Sequence, residues 1–234
     1  MLILAIDTAL DACAAGVLDT RASRLIAHES LPMKRGHAEA LMPLLARVMA
    51  ASGIGFADLD RIAVTTGPGS FTGLRVGLSA ARGIGLASGK PVVGVTTLTA
   101  YAAPVVTANG AAPVLSAVDA RHDHVYFQLV SGDGSSLIRP RVAPIAEVLE
   151  AAQYGAPHLV GNAAGLLAAR WPAETPPVQV DAQPAPEIAW VGWLGAAVNP
   201  ETALARPYYL RAPDAKPQLN AVPHAVLPNE ATAP

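Results

Sequence analysis

One stretch limits what this chain can fold into more than any other. Gly67-Pro68-Gly69-Ser70-Phe71-Thr72-Gly73-Leu74-Arg75-Val76-Gly77 follows an apolar run and opens a segment with helical spacing, Ser70–Ser88. In that segment Gly73, Gly77, Ala81, Gly85 and Gly89 recur every fourth residue. Such a row is a ridge on a helix, here one with almost no side chains. A helix-interior glycine costs about 0.8–1.0 kcal/mol relative to alanine, so Gly77, Gly83 and Gly85 cost roughly 2.5–3 kcal/mol together. Close approach of another backbone can offset that cost. The backbone belongs either to the lobe's own sheet or to a helix of a second subunit, and both need small residues. The loop does not match the phosphate-binding pattern GxxxxGK[ST]. Its helix start could still hold an anion on outward N–H groups. A tight turn with unusual glycine backbone angles accounts for the same residues without a ligand.

Around this helix the pattern is regular. Leu2–Ile6, Cys13–Leu18 and Leu25–Leu31 read as three strands of an antiparallel meander. His37–Ser52 carries Leu41, Leu44, Leu45, Val48 and Met49 at helical spacing, and Pro43 predicts a late start or a bend. Arg61–Thr66 is the next strand, Gly89-Lys90-Pro91 stops the following helix, and Pro91–Val95 is a fifth strand. Three strands, then helix, strand, helix, strand, is the order of a ribonuclease H-like lobe, by analogy at the level of the fold. Ala102–Pro113 reads as a linker. Beyond it, Val114–Asp119 and Val125–Val130 are expected strands around an Ala120-Arg121 turn. Ile145–Gln153, Gly161–Arg170 and Glu187–Val198 read as helices and His158–Val160 as a short strand; the last helix could return to either lobe. The expectation is an α/β protein of two ribonuclease H-like lobes, as in the actin-like ATPase (ASKHA) superfamily, with the second lobe reduced. Residues 1–103 and 104–212 form the lobes, and 213–234 form a Pro-rich disordered tail.

Composition removes several function classes. At 52% hydrophobic and 15% charged residues the chain is not disordered, and 5% aromatics is too few for a base- or sugar-stacking surface. A net charge of -2 lacks the basic excess of a protein that grips nucleic acid alone. The single cysteine, Cys13, excludes an internal disulfide or a cysteine metal cluster and reads as a small core side chain. The N-terminus does not read as a signal peptide, and prolines interrupt the long uncharged stretch Pro91–Val118. A cytoplasmic protein without a membrane contact is expected.

The chemistry-bearing residues are sparse. Asp7-Thr8 closes the first strand, where actin-like ATPases place a metal-coordinating aspartate and a phosphate turn, yet Ala9-Leu10-Asp11 follows without a glycine. Asp119 ends a strand of the second lobe, and Gly161-Asn162 opens a helix. Asp7, Thr8, Asp119 and Gly161 resemble a degenerate nucleotide site; capping and turn roles are the favoured account of them. His122-Asp123-His124 places two imidazoles on one side of an extended segment without a third ligand. His37 and Glu39 read as a helix-start pair. No Ser-His-Asp or Cys-His arrangement is present, so no catalytic residue, metal ligand or cofactor is assigned.

AIDTA at the start, GPGSFTGLRVG with its Ala/Gly-rich helix, KPVVGVTTL, DARHDHVY and the later PYYLR resemble the TsaB (YeaZ) family. The resemblance covers residues 1–211 and is densest from 61 to 126. It implies a non-catalytic, cytoplasmic bacterial subunit of the machinery that makes threonylcarbamoyladenosine on tRNA. Such a subunit binds TsaD, the paralogue that transfers the threonylcarbamoyl group, and is joined by the ATPase TsaE. Alone it forms a homodimer, and it meets tRNA only through the complex. TsaD carries a His-x-Glu-x-His-type metal motif, whose positions fall here at Thr97, Thr99 and Tyr101. Threonine and tyrosine cannot replace imidazoles as transition-metal ligands. The leading expectation puts the interface on helices His37–Ser52 and Ser70–Ser88, where the glycine ridge and the apolar residues of the first helix, Leu41, Leu45, Met49, Gly73, Gly77, Ala81 and Gly85, face the partner. The rival expectation is an enzyme, a small actin-like phosphotransferase or a metallopeptidase-like protein. The missing phosphate-turn glycine and the replaced ligands count against it.

Overall fold

The computed structural model describes residues 1–108 and 110–211; the expected tail, 213–234, lies outside them. β1 (Leu2–Asp7), β2 (Ala12–Asp19) and β3 (Arg24–Pro32) form the expected antiparallel meander. α1 (His37–Ser52), β4 (Arg61–Gly67), α2 (Phe71–Ser88) and β5 (Val92–Thr96) follow. β4 and β5 add in parallel beside β1, giving the order β3-β2-β1-β4-β5. Strand alternation sends Leu4 and Ile6 to the α1–α2 face and Ile3 and Ala5 to the other. α1 starts at His37 with Pro43 on its exposed side, where the carbonyl left unpaired can meet water. Ser70 caps α2 by accepting a bond from Gly73 N (3.3 Å), and Gly89 ends it in the left-handed region.

The expected linker is instead a helix, α3 (Thr97–Thr107). Thr96 Oγ1 caps it, accepting from Thr99 N (3.1 Å). Leu98, Tyr101 and Ala102 are buried against Val114, Val118 and Val160, and this burial outweighs the helix-breaking tendency of Pro104. β6 (Val114–Arg121), β7 (His124–Val130) and β8 (Ser136–Pro144) make a second meander. The turn between β6 and β7 is His122-Asp123, not Ala120-Arg121. Both residues have left-handed φ, 50° and 60°, as a two-residue hairpin of right-handed strands requires. α4 (Ile145–Val148) runs into a 3-10 turn, Leu149–Tyr154; β9 (His158–Val160), α5 (Ala164–Ala168), β10 (Gln179–Asp181) and α6 (Ile188–Ala197) follow.

The second sheet has the order β10-β9-β6-β7-β8, with β9 parallel to β6 and β10 parallel to β9. From its other edge this is the first sheet's topology again, so the chain folds twice into one ribonuclease H-like plan. The copy is reduced: β9 and β10 have three residues each. β8 and β10 had no counterpart in the sequence pattern. Both are edge strands, and Pro140 is tolerated in β8 for that reason.

The third helix of each half lies between the halves. α3 packs on the second sheet as well as the first, and α6 returns to the first. Ile188 and Val191 pack among Ile3, Ala5, Leu18, Ala63 and Val93. Gly195 allows this contact, since a Cβ there would stand 2.2 Å from the Ala63 Cβ. Arg61 holds the end of α6 by donating from Nη1 to the carbonyls of Gly195 (2.7 Å) and Val198 (2.8 Å). Arg61→Met is expected to lower unfolding free energy by about 2 kcal/mol in urea titrations, because charged hydrogen bonds contribute about 1.5–3 kcal/mol each. An unchanged midpoint would show that α6 is held by apolar packing alone.

After α6 the chain forms a strap across β5. Gly94 N donates to Ala203 O (2.8 Å), Leu204 pairs with Val93, and Tyr208 N donates to Thr66 O (2.8 Å). The Arg82 guanidinium clamps the strap through Ala205 O, from Nε at 3.1 Å and Nη2 at 2.5 Å.

Candidate functional site

Asp7 is fully buried at the end of β1. Its Oδ1 accepts from Thr65 Oγ1 (2.6 Å) and Ala9 N (2.9 Å), while Oδ2 has no partner. Burial pushes the carboxyl pKa up; the bonds from Thr65 and Ala9 and the nearby His37 oppose this without cancelling it. Thr8 Oγ1 donates to Gly73 O (2.7 Å). This turn is what the glycine ridge meets. A Cβ at Gly73 would stand 2.1 Å from Thr8 O, one at Gly77 2.4 Å from Thr8 Oγ1, and one at Gly85 2.3 Å from Val92 Cγ2. Ser70 N bonds Ala9 O (2.7 Å), and a Cβ at Gly69 would meet the same oxygen at 2.3 Å. The row drifts around α2 by about 40° per step, and its contacts move accordingly from the β1 turn to β5. The GPGSFTG signature is therefore an internal lock between α2 and the turn after β1.

The other residues of the expected nucleotide site divide between two places. Asp119 is exposed; its Oδ1 accepts from Arg121 N (2.8 Å) and its N–H donates to Asn162 Oδ1 (2.9 Å). Gly161 has φ 105°, and a Cβ there would strike Ala117 O at 2.2 Å, so its glycine serves the strand-to-helix turn. Ala9 and Leu10 are buried in one apolar cluster with Leu74, Leu98, Tyr101, Val118 and Val160. The turn after Asp7 therefore does not fit a phosphate: it is Thr8-Ala9-Leu10, without a glycine, with Ala9 and Leu10 packed into that cluster. A pocket of about 290 Å³ opens instead beside β3 and the start of α6, lined by Asp11, His28, Ser30 and Glu187 among others.

Thr97 and Tyr101, one turn apart on α3, are both buried. Thr97 Oγ1 has no partner, and Tyr101 Oη donates to Gln183 O (2.9 Å). Burial, then the Asp7 and Asp11 charges, push the Tyr101 phenol pKa up, so it remains a neutral donor. Among the described residues no three His, Cys, Asp or Glu side chains group as metal ligands. His122 and His124 do not share one side of an extended segment, because the turn reverses the chain between them; His124 Nδ1 lies 2.7 Å from His122 O. His37 is buried at the start of α1 with Nε2 3.0 Å from Leu10 O. Cys13 is a core side chain whose thiol burial pushes up to about 11.

The seven expected interface residues need correction. Leu41, Leu45 and Met49 pack in the core with Leu4, Ile6 and Cys13, and Gly73, Gly77, Ala81 and Gly85 are buried on the helix face turned to the sheet. None of them is presented to a partner. α1 and α2 do expose a different apolar set, in which Met42 is 55% and Leu86 88% accessible. Met42, Phe56, Ala80, Gly83, Ile84 and Ala87 line a groove of about 520 Å³ between the helices. Gly83 meets nothing within 4 Å, so no packing inside the chain explains its cost. At the other end of α2, Tyr209 of the strap stacks on Phe71 with ring centroids 5.6 Å apart, and the Arg75 guanidinium lies 3.8 Å from the Phe71 centroid. Sequence reasoning counted Gly83 among the costly helix glycines without assigning it a place, and passed over Leu86 and this cluster; the one available signal was that Gly83 falls off the glycine row.

A family model described as TsaD, tRNA N6-adenosine threonylcarbamoyltransferase, matches residues 25–182. The chain is 39% identical over 127 residues to the tRNA threonylcarbamoyladenosine biosynthesis protein TsaB of Escherichia coli (strain K12), covering 54% of each chain. It thus spans about half the length of that relative. An uncharacterized protein of Mycobacterium tuberculosis (strain H37Rv) is 35% identical over 218 residues, 92% of this chain and 94% of its own. The solved structure of YeaZ from Pseudomonas aeruginosa superposes with a TM-score of 0.71 at 27% identity, over 89% of this chain and 99% of that one. The duplicated sheet plan is common to actin-like proteins, but the sequence matches are narrower than the fold, and through them the chain belongs to the TsaB (YeaZ) family.

Proposed function

We propose that this chain is a non-catalytic subunit of the machinery that makes threonylcarbamoyladenosine on tRNA. It docks a TsaD-like catalytic subunit on the outer face of α1 and the C-terminal half of α2, around Gly83 and Leu86, in a cytoplasmic complex that also takes up a TsaE-like ATPase. The lobe expected at residues 1–103 carries that face; its boundary with the second lobe falls inside α3 (Thr97–Thr107). The observation that carries the reading is the exposed glycine. Gly83 sits in an apolar groove, and only a close approach from outside offsets its cost. The match to a TsaD family model supports the choice of partner. Two chains of one fold can offer the same helix pair to each other, so the face also serves a homodimer when no TsaD is present. A stable contact of this kind buries about 1,200–2,000 Å² in total. The apolar, glycine-free turn after Asp7 and the Thr97 and Tyr101 replacements support a binding role over the phosphotransferase or metallopeptidase alternative.

Co-purification with the cognate TsaD-like subunit tests this directly. Gly83→Arg and Leu86→Glu change only exposed positions, so both variants are expected to stay folded by circular dichroism. Each is expected to weaken partner capture at least tenfold and to lower threonylcarbamoyladenosine in cellular tRNA. Normal capture by both variants would show that the partner sits elsewhere.

A further inference from the structure

The few aromatic side chains are not spread evenly. Phe71 is 49%, Tyr208 37% and Tyr209 45% accessible, and all three lie where the strap meets the start of α2. The sequence around them is one-sided in charge: residues 67–88 and 202–211 contain Arg75, Arg82, Arg206 and Arg211 and no acidic residue. Arg82 is engaged with Ala205 O, while Arg75 and Arg206 are exposed. Arg75 lies against the Phe71 ring, and Arg206 stands two residues before Tyr208 on the strap. Exposed rings beside guanidinium groups suit unpaired bases and their phosphates, since any base can stack and each phosphate meets a cation. A solely structural role fits less well. A stack that only fastened the strap would be served as well by a covered ring, and Tyr208 already ties the strap through its backbone to Thr66.

We propose that the Phe71–Tyr208–Tyr209 cluster, with Arg75 and Arg206, is a contact for single-stranded RNA. This deepens the reading above by naming the part of the chain that meets RNA within the complex. Low aromatic content and the absence of an overall basic excess make the contact weak, a local patch rather than a grip.

The test uses the full chain and a fluorescently labelled, unstructured 12-nucleotide RNA, titrated by anisotropy at low salt. Binding is expected, with affinity falling as salt rises. Tyr209→Ala is expected to weaken it about tenfold, within the range for loss of one base–aromatic stack, and Tyr209→Phe to restore it. Arg75→Gln is expected to lower the salt slope by about one unit. Lack of binding by the parent chain would overturn the proposal. So would equal displacement by polyglutamate, which would mark a site for acidic protein segments. A Tyr209→Ala variant with a lower melting temperature but unchanged RNA affinity would leave the stack a structural fastener only, and the proposal would fall. Partner capture through Gly83 is measured separately, so failure of the subunit assignment and failure of the RNA contact give different results.

Discussion

Gly77→Leu is expected to abolish the fold. Even a Cβ at Gly77 would stand 2.4 Å from Thr8 Oγ1, and a leucine must also displace Val64, whose Cγ2 lies 3.5 Å from that Cβ. Overpacking of this kind costs about 1–3 kcal/mol when the surroundings can move. Here the obstacle is the turn that also carries buried Asp7, so the cost falls at or beyond the upper end. Gly73→Ala is expected to be severe for a related reason, because its Cβ meets a backbone carbonyl at 2.1 Å. Gly83→Ala, in the same helix, carries the opposite sign: it meets nothing and is expected to gain about 0.8–1.0 kcal/mol from helix propensity. Urea titration of the three variants checks the set. A folded, native-like Gly77→Leu monomer would show that the ridge does not pack on its own sheet.

The second large effect belongs to Asp7. Its folded pKa is raised by burial, so between the unfolded carboxyl value, about 3.9, and the folded one the native state holds a proton that the unfolded state has released. Stability therefore falls as pH rises through that window, by up to about 1.4 kcal/mol per pH unit, and levels off above it. Asp7→Asn keeps an oxygen for Thr65 Oγ1 and Ala9 N and removes the titration. It is expected to melt above the parent at pH 8 and to lose that pH-dependent slope. Parallel melting curves for the two proteins from pH 4 to pH 8 would place the strain elsewhere.

Much of the first lobe was legible because its strands and helices alternate cleanly and α2 is bounded by Ser70 and Gly89. The misses have local causes. α3 was hidden by Pro104, whose cost is outweighed by contacts with residues far along the chain. β8 was hidden by Pro140, allowed because the strand lies at an edge. The glycine row could not be assigned from the sequence, since a sheet and a partner helix ask for the same small residues. Its companion row, Phe71, Arg75, Ser79, Gly83 and Ala87, holds the answer: a face carrying an arginine and a large ring is the exposed one. Asp7, Thr8, Asp119 and Gly161 were readable as residue types but not as standing in two separate places. The strap cluster escaped notice because Phe71 and Tyr209 are far apart in the chain.

The return of α6 to the first sheet has a consequence for how the protein is made. Ribosomes deliver Ile3, Ala5, Ala63 and Val93 long before Ile188 and Val191, the residues that cover them. Until the helix Ile188–Ala197 has left the exit tunnel, one face of an otherwise complete sheet stays apolar and only partly covered, by α3 around Ala100. The nascent chain must carry that surface while about ninety further residues are added, a stretch of synthesis in which exposed apolar sheet invites aggregation.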